Sequence, residues 1–566
     1  MKKVIKSCIL SMSILFFAIS AWAQQSETGF LVIAPDRGFM GNQEVRDIHT
    51  TFSENYLSSL AFITSEETDR FLSEGIMKLT EEGVSEIVVL PLFLSEYHPH
   101  YKLAKERLTG AGLTDLPLEF AGTMSESYLT AEILVERISE LSENPAEESL
   151  VVVATGASNE NEMDGIKADV ENVLHMNHGY YNFNSESVIV FDERGGRSEA
   201  SQERLSEKLT SIQDEGFKPL VVTFDLTPKL DGMMAFGSWI RPLIRNHGAL
   251  YNGNDITPHE NVGLWLAKQA NSYLPVTKEN LGVIFMPHGS NYNWNRTMMD
   301  AIDEMHEEYM IEHAFSMGDA TLVDRAVEKL EARGATAITV LRIFSLESSF
   351  KNSIEYTLGL SDQMGHGGMM HMMTGPPKRV VSSSEFYTTG GLEDSPLFAE
   401  ALLDRAIGLS ENPEKETVVI VGHGTRTEEG NTRWMNNLET ITAHMEKTAA
   451  EMGYNFRDFK FENWREDWPE LRDKHINNVR EMVKRASEDG GTAIVVPART
   501  TKGGHAQRWL SDLDFKHNGE GFAPHPLFVE WVEGLIQESL NHFNADNDIS
   551  SELTEQSVEM LNHHSH

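Results

Sequence analysis

Two histidines toward the C-terminus stand where an imidazole can do chemistry. The segment Gly422-His423-Gly424-Thr425-Arg426 follows the apolar run Thr417–Val421, and His505 closes the glycine-rich stretch 497–505 that follows Ile494–Pro497. Ligands of open α/β sheets bind outside the carboxyl ends of the strands, so rings at two strand tips can face one space. If those strands are neighbours, the rings can converge on one ion. Neutral imidazole suits cobalt, nickel, iron and zinc, and it accepts protons near neutral pH. Taken singly, each ring would more simply satisfy a loop backbone group, and it is the pairing that favours a metal.

Two other segments carry metal-like side chains. Met364, His366, Met369, Met370, His371, Met372 and Met373 crowd a glycine-rich stretch before Pro376-Pro377, where soft sulfur with imidazole favours copper(I) or another late transition metal. The alternative for this stretch is a flap lining an apolar ligand. The terminal Asn562-His563-His564-Ser565-His566 is either a weak metal trap or a disordered end.

The elements that must hold these residues are repeated. Phe30–Ala34, Leu150–Ala154, Gly282–Met286 and Thr417–Val421 are short β-rich runs ending in glycine-bearing turns. A second run follows each after a helix-ending glycine: Ile87–Phe93 after Gly83, Leu220–Phe224 after Gly216, Ile338–Phe344 after Gly334, and Ile494–Pro497 after Gly491. Continuous apolar strands alternating with helix-period stretches indicate parallel sheets covered on both faces. Leu141–Pro145 recurs as Leu409–Pro413, His175-Met176 as His444-Met445, and Asn252-Gly253 with Pro258-His259 as Asn518-Gly519 with Pro524-His525. The expected fold is therefore α/β: four tandem doubly wound parallel-sheet modules, at about 26–143, 147–275, 279–408 and 414–543, arranged as a duplicated two-lobed unit. The acidic tail 545–566 is expected to be disordered.

Composition narrows the function. The 566 residues hold 47 Lys+Arg against 87 Asp+Glu, a net charge of -40, which repels phosphate backbones and disfavours nucleic acid as a partner. Hydrophobic residues at 40% supply real cores, so the acidity belongs to a globular surface. The single cysteine, Cys8, excludes disulfide scaffolds and thiolate metal sites. Lys2, Lys3 and Lys6, an apolar run from Cys8 to Ala18 and Ala21-Trp22-Ala23 form the pattern of a cleavable secretory signal over 1–23. That run is shorter than the ~20 residues a membrane span needs. A mature chain starting at Gln24, exported to a periplasm and not inserted in the membrane, is expected.

Strand–Gly-His-Gly-Thr–helix followed by strand–Pro–loop–His resembles the class II tetrapyrrole chelatases, specifically the CbiX-type sirohydrochlorin cobaltochelatase and ferrochelatase family. Pro287-His288-Gly289-Ser290 resembles the first motif, and Val89–His98, with its Pro-Leu-Phe-Leu, the second. The resemblance implies an enzyme inserting a divalent metal, Co(II) or Fe(II) with Ni(II) possible, into a sirohydrochlorin-type tetrapyrrole without an organic cofactor. It implies His423 and His505 as metal ligands and proton acceptors, with Glu462 sharing the proton traffic, and His288 and His98 as further metal ligands. Arg426, Lys502 and Arg508 flank the motifs and suit a polycarboxylate substrate. Trp464, Trp468 and Trp509 lie close by, for stacking or for packing. The pattern is broken elsewhere: Asp36 stands at the His288 position, Thr155 at the His423 position, and the last strands of modules two and three lead into Thr227-Pro228-Lys229 and Ser345–Ser349 without a histidine. Module four is the expected main site. The alternative function is a non-catalytic periplasmic protein that binds or delivers metal or tetrapyrrole.

Overall fold

The computed structural model describes residues 28–64, 66–110, 112–177, 180–226, 236–315, 317–363 and 378–545. The expected leader, the Met/His segment 364–373 and the tail from 546 lie outside these residues, as does Thr227-Pro228-Lys229.

The chain divides into two units, residues 1–274 with 381–383, and 275–380 with 384–566. In the first unit, β1 (Thr28–Pro35), β2 (Ser58–Ile63), β3 (Glu86–Pro91) and β4 (Leu118–Phe120) form a parallel sheet in the order β2-β1-β3-β4. A second sheet, β5 (Glu148–Ala157), β6 (Glu186–Asp192) and β7 (Lys218–Phe224), has the order β6-β5-β7. In the second unit, β8 (Leu281–Pro287), β9 (Met310–His313), β10 (Ala337–Ile343) and β11 (Glu385–Gly390) run β11-β10-β8-β9. The last sheet holds β12 (Glu416–Gly422), β13 (Asp458–Asn463), β14 (Thr492–Ala498) and β15 (Phe515–Lys516) in the order β13-β12-β14-β15. Read from its own first strand, each sheet has one topology: the first strand lies between the second and third.

Every residue of β1, β8 and β12 is buried, as strands covered by helices on both faces must be. The eight apolar runs read from the sequence overlap the first and third strands of each sheet. The outer strands are shorter or more polar; β13, Asp-Phe-Lys-Phe-Glu-Asn, alternates like a half-exposed edge.

Within each unit one apolar core joins both sheets. In the first, Val32 and Leu90 of one sheet share a cluster with Val152 and Val222 of the other through Leu129, Ile133, Trp265 and Leu266. In the second, Phe285 and Leu341 are joined to Ile420 and Val496 through Leu402, Phe528, Val532 and Ile536. The bridging helices in the second unit are Pro396–Leu409 and Pro526–Phe543. Among the described residues no helix is long and apolar enough to cross a membrane.

Candidate metal centre

The site in the second unit is assembled from the loops after three adjacent strands. β12 pairs in parallel with β13 on one side, Gly422 opposite Asn463, and with β14 on the other, Gly422 opposite Ala498. His423 follows β12, Glu466 and Asp467 follow β13, and Arg499 and His505 follow β14.

His423 is held in one orientation. Its Nδ1–H donates to the Gly424 carbonyl at 2.8 Å, which turns Nε2 towards the site. That Nε2 lies 3.0 Å from Asp467 Oδ2 and 3.3 Å from Glu466 Oε1. The three side chains present donor atoms within 4.8 Å of one another, the group among the described residues that meets this condition with three metal-ligating side chains. Three lone-pair donors facing one another repel unless a cation sits between them, so the arrangement calls for a proton or a metal ion. Histidine nitrogen with carboxylate oxygens is a donor set for a first-row divalent metal.

Glu466 is the hinge of the cluster. Its side chain is 8% exposed, and the Arg499 guanidinium pairs with Oε1. Its Oε2 is buried without a hydrogen-bond partner and faces His505 Nε2 at 3.8 Å. The two expected imidazoles therefore flank one carboxylate, although His505 stands outside the tight three-donor group. Burial, with Arg499 and Arg508 nearby, lowers the His505 pKa against the opposing pull of Glu466. The ring is thus neutral and able to accept a proton at neutral pH.

Arg465 aligns the two loops. Buried and at φ 46°, it donates from Nε to the Thr425 carbonyl (2.8 Å), from Nη2 to the Arg426 carbonyl (2.9 Å) and from Nη1 to Glu428 (2.7 Å). Those bonds offset a left-handed backbone that costs about 1–3 kcal/mol. Gly424 has φ +88°, and a Cβ there would lie 2.7 Å from Asn463 Oδ1 and 2.9 Å from the Arg465 nitrogen, so the turn admits only glycine. Aromatic rings wall the site. Trp434 stacks near His423 at 6.2 Å, Trp468 meets it edge-on at 5.8 Å, and Trp509 lies 4.2 Å from His505. Trp464 is core, 5.1 Å from Trp509.

The other expected site residues fall differently. Glu462 is not brought to His423. Its carboxylate is buried on β13, held by His475 Nδ1 at 3.0 Å and Asn478 Nδ2 at 2.7 Å, and Glu466 stands at the imidazole in its place. Arg426 and Lys502 are exposed on loops beside the site, and Arg508 is exposed on the short helix Ala506–Trp509. His288, after β8, repeats the Nδ1 bond to the following carbonyl (2.7 Å) but is exposed and joins no three-donor group among the described residues. His98 belongs to the first unit. Its Nδ1 accepts the His100 backbone N–H at 3.2 Å, and burial, with the Arg37 and His100 charges, pushes its pKa far down.

Sequence reasoning missed Glu466, Asp467, Arg499, Arg465 and Trp434. The signal was Trp464-Arg465-Glu466-Asp467-Trp468, a charged stretch between tryptophans, hidden because β13 is too polar to read as a strand.

No family model and no curated protein matches the chain. Among solved structures, SirB from Bacillus subtilis with Fe3+ is 12% identical, covering 43% of this chain and 94% of its own, with a TM-score of 0.35. The sirohydrochlorin chelatase SirB of Bacillus subtilis subspecies spizizenii with cobalt is also 12% identical over 43% and 93%, TM-score 0.31. A Deinococcus radiodurans protein, described as multi-domain with structural similarity to chelatases, is 17% identical over 45% and 55%, TM-score 0.31. Likenesses this distant leave the functional reading to the donor geometry.

Proposed function

We propose that the second unit binds a divalent transition metal, cobalt or iron, at His423, Glu466 and Asp467 and inserts it into a sirohydrochlorin-type tetrapyrrole. The observation that carries this is Nε2 of His423 facing two carboxylates at 3.0 and 3.3 Å. Insertion replaces two pyrrole N–H bonds by metal–nitrogen bonds and releases two protons. Neutral His505 takes one, and the second leaves through Asp467, which is 67% exposed to water. The metal is substrate, so its ligands must let go; a mostly exposed aspartate and one imidazole hold it less rigidly than a closed four-ligand site would. The walling tryptophans suit a flat macrocycle, and Arg426, Lys502 and Arg508 suit its carboxylates. Export to a periplasm belongs to the same proposal and rests on the N-terminal residues Lys2 to Ala23.

The test is an absorbance assay with purified protein, sirohydrochlorin and Co(II) or Fe(II). The expected result is a rate above the spontaneous reaction that falls at least about 100-fold in His423→Ala and in His505→Ala, the scale on which a positioned acid–base group contributes. A rate no higher than spontaneous eliminates the enzyme. Stoichiometric metal binding without turnover would instead support the delivery function.

A further inference from the structure

Away from the His423 cluster, the second unit turns two further imidazoles on each other. His306 lies in the short helix Asp303–Glu307 and His313 ends β9, and their Nε2 atoms are 3.3 Å apart. His313 pairs with Phe285 of β8, three residues before His288, which puts it roughly 10 Å back along the sheet from the strand tips. We propose that His306 and His313 chelate a zinc ion, at a site separate from the one that serves metal insertion.

The spacing matches a chelate. Two imidazole nitrogens at the zinc–nitrogen length of about 2.0–2.1 Å and a tetrahedral angle stand about 3.3–3.4 Å apart. The right angle of a square-planar ion such as copper(II) would bring them to about 2.9 Å, so the observed 3.3 Å favours zinc. Without an ion, one Nε2 carries a hydrogen towards the other; zinc takes its place, and that hydrogen moves to Nδ1 of the same ring. His313 Nδ1 is buried without a hydrogen-bond partner. An outer partner on a ligating histidine is worth about 10–100-fold in affinity, so this chelate binds on the order of micromolar rather than more tightly.

The surroundings prepare the pair for a cation. His313 stacks on Phe315 at 5.7 Å with 13° between the planes and meets Phe285 edge-on at 5.8 Å, contacts that fix its ring before any ion arrives. Burial, with His306 beside it, lowers the His313 pKa to about 4, so the ring is neutral, as a metal ligand must be. His306 is exposed, which leaves the remaining coordination positions to water. Asp303, Glu304 and Glu307 stand exposed on the same short helix and raise the local concentration of cations. Glu312 is not a ligand: it alternates to the other face of β9, where Lys329 holds it at 2.8 Å.

The pair shares no residue with the strand-tip site, so the experiment first removes that site. The full chain carrying His423→Ala and His505→Ala is titrated with Zn(II) by calorimetry, alone and with His306→Gln or His313→Gln added. Each addition is expected to abolish one equivalent of micromolar binding or weaken it at least about tenfold. His306 is exposed, so its replacement is expected to leave urea unfolding of the metal-free chain unchanged, which separates a lost ligand from a lost fold. In the otherwise native chain His306→Gln is expected to keep the rate of cobalt insertion, and a lost rate would overturn the independence of the two sites. Zinc binding that neither substitution changes overturns the proposal and leaves a hydrogen bond between two rings. Absence of any Zn(II) binding in the His423→Ala, His505→Ala chain overturns it as well.

Discussion

Glu466 and Asp467 touch the same imidazole nitrogen but are not equivalent. Glu466 is buried and also neutralises Arg499, so Glu466→Gln removes a metal donor and leaves a guanidinium without its counter-charge. Removing one member of a buried charge pair costs about 3–5 kcal/mol. Asp467 is exposed and has no such second duty. Co(II) titration calorimetry with parallel urea unfolding is expected to show both variants losing affinity, Asp467→Asn by about tenfold with unchanged stability and Glu466→Gln losing stability as well. Equal stability losses in both would show that burial does not distinguish them. The rings were legible in the sequence because glycine-flanked histidines after apolar runs mark strand tips. The carboxylates were not, because their strand is a polar edge and its tip carries no glycine. Glu462 was an attractive substitute only by resemblance; four residues along, the chain has left the strand, and only the later glutamate reaches the imidazole.

At the scale of the element, the duplication appears as repeated hydrogen bonding rather than repeated composition. The Ser-Glu-Asn-Pro linker of the first unit is tied to Glu148 at the start of β5, which accepts from Ser142 Oγ (2.6 Å) and the backbone N–H groups of Glu143 (3.0 Å) and Asn144 (3.2 Å). Glu416 at the start of β12 accepts from Ser410, Glu411 and Asn412 in the same pattern and also pairs with Lys516 at 2.8 Å. Burial alone would raise both carboxyl pKa values, but the hydroxyl, backbone and lysine donors outweigh it and both are lowered. The unfolded chain therefore binds the proton more tightly, so this stabilisation is present above the ordinary carboxyl range and is lost as pH falls through it. Glu416→Gln is expected to lower unfolding free energy by about 1–3 kcal/mol at pH 7, the cost of weakening a charged acceptor to several donors. Its effect should shrink when urea unfolding is repeated near pH 3. A pH-independent difference would show that packing, not charge, holds the linker. The central strands were readable because burial on both faces makes them continuously apolar. The outer strands were not, since β4 and β15 are only 3 and 2 residues long and β13 alternates.

Across the whole molecule the two units share a topology and differ in the charge at their strand tips. The first carries Arg37 on Asp225; the second carries His423 against Glu466 and Asp467. The histidines also set an acid limit. Burial, with Lys78 nearby, lowers His49 to about 4; burial, with His306 nearby, lowers His313 to about 4; burial and Arg37 lower His98 and His100. Each binds its proton less tightly folded than unfolded, so stability is full above about 6.5 and falls as pH drops toward 4. Thermal midpoints measured between pH 7.5 and 4.5 are expected to decline across that window, less steeply in His49→Gln, and an unchanged slope in that variant would remove His49 from the cause. The central claim is that one divalent ion sits between His423 Nε2 and the carboxylates of Glu466 and Asp467. It is tested most directly by anomalous diffraction at the cobalt absorption edge from crystals soaked in Co(II). The account predicts a peak about 2.0–2.2 Å from those three donor atoms, the range of a first-row metal on nitrogen and carboxylate ligands, and its loss in His423→Ala. Cobalt found only elsewhere, or at the same place after His423→Ala, would contradict it.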